Sequence, residues 1–325
     1  MTGLKYEVSF IGNAIVDIIS KITEENLNEL IIPKGSMQLI DEKSSNKILN
    51  YVKNPIIISG GSAANTAVGF SSFGGKCSFI GQTGDDELGI LFSKDLNNSG
   101  VFYENKIINN SVKTSKSIVL VTPDAERSMN TYLGASVQFN MNCISEELII
   151  NSNIIYIEGY LFDQKDAKKA IYHCCKLAKS NNCRIALSLS DSFCVERHRE
   201  DFCELINKYV DIIFANENEI QSLFQRNLQE SLKKIRTFVE VGAITLGSKG
   251  SIVFQNQTEY LVPTITINDP VDTTGAGDIF ASGFLFGLTN KYRIEDCGKL
   301  GNKVASDIIK YFGARPKTSL KRFLN

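Results

Sequence analysis

Residues 269–288, DPVDTTGAGDIFASGFLFGL, set Gly275, Ala276 and Gly277 directly ahead of Asp278 and then run into an apolar segment of helical length. A helix beginning near Gly275 turns its unpaired N–H groups back toward its start. Its dipole adds partial positive charge there, so that end favours an anion. Glycine also lets a bulky ligand approach the backbone closely. Asp278, in the first turn, would reach the same space, and a carboxylate beside a bound phosphoryl group suits a base that takes the proton of an attacking hydroxyl. The same aspartate could instead only complement the dipole, with Thr273-Thr274-Gly275 as an ordinary loop.

Three more stretches invite chemistry. In PIIISGGSAANTAVGFSSFGG a strand leads through Gly60 and Gly61 into a helix carrying Asn65. The spacing is not GxGxxG, which leaves a close-approach turn beside a polar ligand, or merely a tight strand-to-helix turn. In VGAITLGSKGSIVF, Gly242 and Gly247 have P-loop separation, but Ser248-Lys249 stands where Lys-Ser/Thr is required. The reversed order excludes a Walker-type NTPase. A strand ending at Thr245 and a turn through Gly250 still suit the wall of a nucleotide cleft. In DIIFANENEIQSLF, Asn216 and Glu219 sit three apart at a strand-to-helix junction. They could orient water around Mg²⁺, or form a capping box with Asn216 as N-cap. His198, in CVERHREDF, has no Ser or Cys partner in a catalytic setting, and vicinal Cys174-Cys175 reads as helix packing.

These residues need a frame. The short β-branched runs YEVSFIG, PIIIS, KCSFIG, NIIYIE, CRIALSL, VDIIFA and GAITLG read as strands. Between them DDELGILFSKDLNNSG, DAKKAIYHCCKLAKS and EDCGKLGNKVASDIIKYFG read as helices, the first and last ended by Gly100 and Gly313. The alternation predicts an α/β fold, a mostly parallel sheet with helices on both faces. Two segments break the rhythm, at about 14–41 and 113–133, where polar-alternating runs flank turn-rich sequence. They read as antiparallel strands outside the main sheet, forming a small β lid over one edge of a single domain spanning 1–325.

Composition narrows the function classes. Lys plus Arg is 35 against 36 for Asp plus Glu, so a net charge of −1 supplies no long-range field for nucleic acid or anionic membrane. The basic cluster RPKTSLKRF, from Arg315, reads as a solvated tail. Eight cysteines without a CxxC pair and only two histidines argue against zinc. No stretch has the apolar length of a membrane span or a signal sequence, which predicts a cytoplasmic protein with reduced thiols.

Taken in order along the chain, GGSAAN, NENE, TLGSKG and DTTGAGD resemble the ribokinase-like (PfkB) family of carbohydrate and nucleoside kinases. The resemblance implies a Rossmann-like core and transfer of the ATP γ-phosphoryl group to an alcohol. It makes Asp278 the base and Gly275, Ala276 and Gly277 the anion hole. Asn216 and Glu219 would serve Mg²⁺ and phosphate, Thr245, Gly247 and Gly250 the nucleotide turn, and Asn302 the adenine. It also suggests a monovalent cation, K⁺, near Asp272 and Thr274. GNAIVDI, IPKGSMQLID, YIEGYLFD and DSFCVERHREDF look closer to adenosine kinases than to ribokinases, which more often carry lysine where Ser62 stands. By that similarity Asn13, Asp17, Gly61, Ser62 and Asn65 would hold ribose hydroxyls, and the two acceptor oxygens of Asp17 suit a vicinal diol. These motifs assign no aromatic residue to stack on a purine. The expected protein is therefore a monomeric or homodimeric kinase that phosphorylates a nucleoside, above all the 5′-hydroxyl of adenosine, with a sugar kinase of the ribokinase or fructokinase type as the alternative.

Overall fold

The computed structural model describes residues 5–105, 111–124 and 126–324. Its strands, in chain order, are β1 (Tyr6–Ile11), β2 (Ile15–Lys21), β3 (Met37–Leu39), β4 (Ile56–Ser59), β5 (Cys77–Ile80), β6 (Val101–Phe102) and β7 (Ser115–Val121). They continue as β8 (Arg127–Tyr132), β9 (Ser152–Glu158), β10 (Arg184–Ser188), β11 (Ile212–Asn216), β12 (Val241–Thr245), β13 (Ser251–Gln255) and β14 (Thr258–Val262). Nine of them form one sheet, ordered β14-β13-β12-β11-β10-β9-β1-β5-β6. It is parallel from β12 to β6, and only β13 and β14 run antiparallel. Strands such as β9 carry a continuous apolar run, here Ile154 to Ile157, because helices cover both faces. Ser62–Ser72, Ala276–Thr289 and Ile294–Ile308 pack on one side, and Lys165–Ser180, Ser192–Lys208 and Glu217–Phe224 on the other.

The remaining five strands make a second sheet, ordered β3-β8-β7-β2-β4. Residues 14–41 and 113–133 supply four of them; Ala125, between β7 and β8 in sequence, lies outside the described residues. Two expectations need correction here. Ile56–Ser59 belongs to this sheet, paired antiparallel to β2, because a four-residue β-branched run carries no mark of which sheet it joins. The strands are also not all antiparallel: β2 pairs with β7, and β3 with β8, in parallel. One face of the second sheet is sealed by Leu27, Leu30 and Ile48 from its own short helices.

Gly313 does not end the last long helix, which stops at Ile308. Gly313 lies beyond it with φ 95°, its N–H turned toward Asp272. No helix among the described residues is long and apolar enough to cross a membrane.

Candidate active site

The carboxyl ends of β9 to β12 open on a cleft with roughly 850 Å³ of empty space, counting the solvent at its mouth. Phe214, Asn216, Glu219 and Thr245 line one wall, and Ser62 with Gly275 to Asp278 the other. This is where ligands bind in open parallel sheets.

Gly275 is the N-cap of the helix Ala276–Thr289, with φ 76°. A Cβ there would stand 2.3 Å from that of Ala314, so both the backbone angle and the packing require glycine. A Cβ at Gly277 would meet nothing within 4 Å, because that position faces the open cleft. Helical geometry leaves the N–H groups of Gly277 and Asp278 without a carbonyl four residues back. The N–H of Ala276 is already given to the carbonyl of Thr273, at 3.2 Å. The loop thus offers an anion two donors and the dipole, and its glycine leaves the room.

Asp278 accepts from Ser62 Oγ at 2.7 Å and from Asn65 Nδ2 at 3.1 Å. Protein packs round it, yet one side still touches the cleft. Burial pushes its carboxyl up to about 6, against the pull of those two hydrogen bonds and the charge of Arg315. Ser62 and Asn65, the residues expected to hold ribose, both donate to Asp278 in this structure. Their geometry starts at Gly61, whose φ of 89° and 2.3 Å clearance to the Asn13 carbonyl admit no side chain.

Asn13 and Asp17 stand on the far side of that turn. The Asn13 side chain donates to Glu158 Oε1 at 2.8 Å, and the N–H of Ala63 donates to Oε2 at 2.9 Å. Glu158 ends β9, lies fully buried, and is pushed by burial up to about 7. It is a site residue that sequence reading missed, although it stands in the quoted YIEGYLFD. Its signal was present, a lone glutamate closing an apolar strand. Asp17 sits against Gly60, where a Cβ would lie 2.6 Å from Oδ2, and burial pushes it up to about 6 despite Arg315 and Arg127.

Strand register sets what surrounds Asp17. One row across the second sheet reads Ile58, Asp17, Ser117, Thr131, Leu39, and the next row on the same face reads Ile56, Ile19, Val119, Met129, Met37. The second row is wholly apolar. Ile56, Met37 and Leu39 remain 62%, 58% and 59% exposed.

Asn216 and Glu219 form the capping box: the Asn216 side chain accepts from the Glu219 N–H at 2.9 Å, and Glu219 accepts from the Asn216 N–H at 2.9 Å. Burial pushes Glu219 up to about 7. Among the described residues no group of three or more His, Cys, Asp or Glu could enclose a metal. One carboxylate and one amide on the cleft wall fit a Mg²⁺ that keeps its waters and its phosphate ligands.

Three expected placements differ. Asn302 is buried and spends its amide on the carbonyls of Val262 and Pro263, at 2.9 and 3.3 Å, so it ties down the end of β14 instead of reaching the cleft. Gly247 and Gly250 shape the turn after Thr245 with φ of 60° and 94°, but only Thr245 of the three lines the cleft. Asp272 and Thr274 hold a guanidinium where a cation was expected: Arg127 reaches Asp272 Oδ1 at 2.9 Å and Thr274 Oγ1 at 3.3 Å. Asp272 also accepts from Thr274 N and Gly313 N, at 3.0 and 2.9 Å. Burial opposes its charge, but these bonds and Arg127 outweigh it and hold the carboxyl below its ordinary range. In this structure those two side chains are engaged by Arg127 and by the N–H groups of Thr274 and Gly313. Arg127 Nη2 is buried with no acceptor among the described residues, which suits an oxygen of a ligand.

Arg315 is the largest correction. Far from a solvated tail, its side chain is 15% exposed and donates to Asn65 Oδ1 at 3.1 Å and to the Gly60 carbonyl at 3.3 Å.

Comparison with known proteins bears on the family and the fold. Residues 34–320 match the model of the pfkB family carbohydrate kinases. The fold is similar to a crystal structure described as a probable sugar kinase from Rhizobium etli CFN 42, with TM-score 0.90 and 40% identity over 98% of this chain and 97% of that one. It is as similar to the adenosine kinase of Sinorhizobium meliloti, with TM-score 0.90 and 39% identity over 99% of both chains. The adenosine kinase of Dictyostelium discoideum is 28% identical over 93% of this chain and 94% of its own length.

Proposed function

This chain belongs to the pfkB family of carbohydrate kinases, phosphotransferases that act on hydroxyl groups, and from that premise we propose that its acceptor is a nucleoside, phosphorylated on the 5′-hydroxyl of adenosine. What supports a nucleoside over a free sugar is the Asp17 face of the second sheet. A ribose diol matches the row that holds Asp17, Ser117 and Thr131, and a planar base matches the neighbouring row of Ile19, Val119, Met129 and Met37. A free sugar would leave that apolar row facing water. An aliphatic row also accounts for a base site without an aromatic stack.

In this reading ATP lies along the cleft with its γ-phosphoryl group at the N–H groups of Gly277 and Asp278, which stabilise charge on the transferred oxygens. Asn216 and Glu219 would hold Mg²⁺ through water, and the ion when bound neutralises phosphate charge. Asp278 accepts the proton of the 5′-hydroxyl as it attacks. The second sheet closes over both substrates and keeps out the water that would otherwise take the phosphoryl group. Arg127 links that sheet to Asp272, just ahead of the anion loop.

The deciding experiment measures Mg·ATP consumption with adenosine, other nucleosides, ribose, fructose and fructose phosphate. Turnover selective for adenosine is expected. Turnover with a sugar alone would keep Asp278 and the anion loop but end the nucleoside reading.

A further inference from the structure

The segment after the last long helix touches the site three times in three residues. Gly313 N donates to Asp272 Oδ2, Ala314 packs where a Cβ of residue 275 would stand, and Arg315 reaches Asn65. We propose that Arg315 is the positioning residue for the base: its guanidinium fixes the Asn65 amide so that Asn65 faces Asp278 as a donor, and ties that pair to the Gly60 carbonyl. This rests on the reading of Asp278 as the base.

The two ends of an asparagine amide have nearly the same shape and opposite hydrogen-bonding sense, so what meets one end decides what the other presents. A guanidinium has donors only. With Arg315 Nε donating to Asn65 Oδ1 at 3.1 Å, the amide must turn Nδ2 toward Asp278, where it donates at 3.1 Å. The flipped amide would set an oxygen against the carboxylate and an NH₂ against the guanidinium. A second donor of Arg315 holds the carbonyl of Gly60, at the start of the turn whose Gly61 launches the helix that bears Ser62 and Asn65. One side chain thus sets the amide and the element that carries it.

The charge acts with the geometry. Asp95 pairs with Arg315 at 2.5 Å, but the Asp95 side chain is 43% exposed, so water screens that pair. The buried side of the guanidinium faces Asp17 and Asp278, and its charge favours their ionised forms. The other titratable groups facing Asp278 are Tyr156 and Glu158 from β9 and Glu219 from the helix Glu217–Phe224. None of these three carries positive charge.

The test compares wild type, Arg315→Met and Arg315→Lys by two readouts. The first is the Asp278 carboxyl titration, followed by ¹³C NMR on aspartate-labelled protein and assigned with Asp278→Asn. The second is kcat and KM against pH with the acceptor that wild type uses. Arg315→Met should raise the Asp278 titration by about one pH unit and move the acid limb of kcat up equally. It should also lower kcat on the order of tenfold, with a smaller change in KM. Arg315→Lys keeps the charge and loses the fork, so kcat falls while the titration moves little. If Arg315→Met leaves the titration and the acid limb in place, the proposal is overturned. Should that variant not fold, the lysine variant decides, and wild-type kcat there overturns it. A wild type that phosphorylates nothing would sink the kinase reading, while the NMR titration would still judge Arg315.

Discussion

Asp278 sits among groups that are themselves held. Ser62 and Asn65 donate to it, Arg315 orients Asn65, and Glu158 anchors the first turn of the helix that carries both donors. On the second sheet, Asp17 shares a face with half-exposed Leu39 in its own row and Met37 and Ile56 in the next, and that sheet reaches Asp272 through Arg127. The chemistry side is overdetermined and buried, and the acceptor side is sparse and open. With the proposed roles, that division would let one base and anion loop serve different acceptors, since changes on the second sheet need not disturb Asp278. It is also consistent with the chain's equal likeness to structures described as a probable sugar kinase and an adenosine kinase.

Mutations on the two sides should then behave differently. On the buried side Asp278→Asn should lower kcat on the order of 10²-fold with little change in Tm, measured by coupled ADP release and thermal melts. Near-normal turnover would remove Asp278 from the role of base. Gly277→Val places a side chain in open cleft, so the fold should keep its Tm while turnover falls some tens of fold. A large loss of Tm instead would mean that Gly277 is needed for packing, not for the ligand. Wild-type kcat should also fall as pH drops through about 6, where Asp278 takes up its proton.

On the open side the effects are smaller and fall on KM. Arg127→Gln loses the link to Asp272, and KM for the acceptor should rise about tenfold with kcat changed less. An equal fall in kcat would place Arg127 with the chemistry. Met37→Ser should raise KM for adenosine about threefold and leave any sugar unaffected. Equal effects on both acceptors would break the assignment of the apolar row to a base.

The smallest effect concerns stability. Burial pushes Glu158 and Glu219 up to about 7, and Asp17 and Asp278 up to about 6. Unfolded carboxyls titrate near 4, so over this range the native chain holds protons that the unfolded chain has released. The stability these groups contribute is full below about pH 4 and is lost as pH rises through 6 to 7. Thermal melts of ligand-free protein should show Tm drifting down by a few degrees between pH 5 and 8. A steady rise would mean that these carboxyls are ionised in the native state.

Local sequence carries much of this. Gly275 to Asp278, the turn at Gly60-Gly61, and Asn216 with Glu219 are legible because each lies within one strand-to-helix junction, where a positive φ or a cap demands particular residues. The alternation of strand and helix gives the parallel sheet for the same reason, since each element's period is written in its own residues. What could not be read is what depends on partners distant along the chain. Ile56–Ser59 joined the second sheet through pairing with β2, and Glu158 acts on Asn13, 145 residues away. Arg315 looked like a solvated charge because it stands among basic neighbours, yet the fold seats it 250 residues from its partner Asn65. A charge becomes structural only when packing removes water from it and brings a partner, and both are properties of the assembled fold. The sequence alone thus determined the elements and the short motifs at their ends. The tertiary structure decided which sheet each strand entered, which buried groups hold Asp278, and which face Asp17 shares with an apolar row.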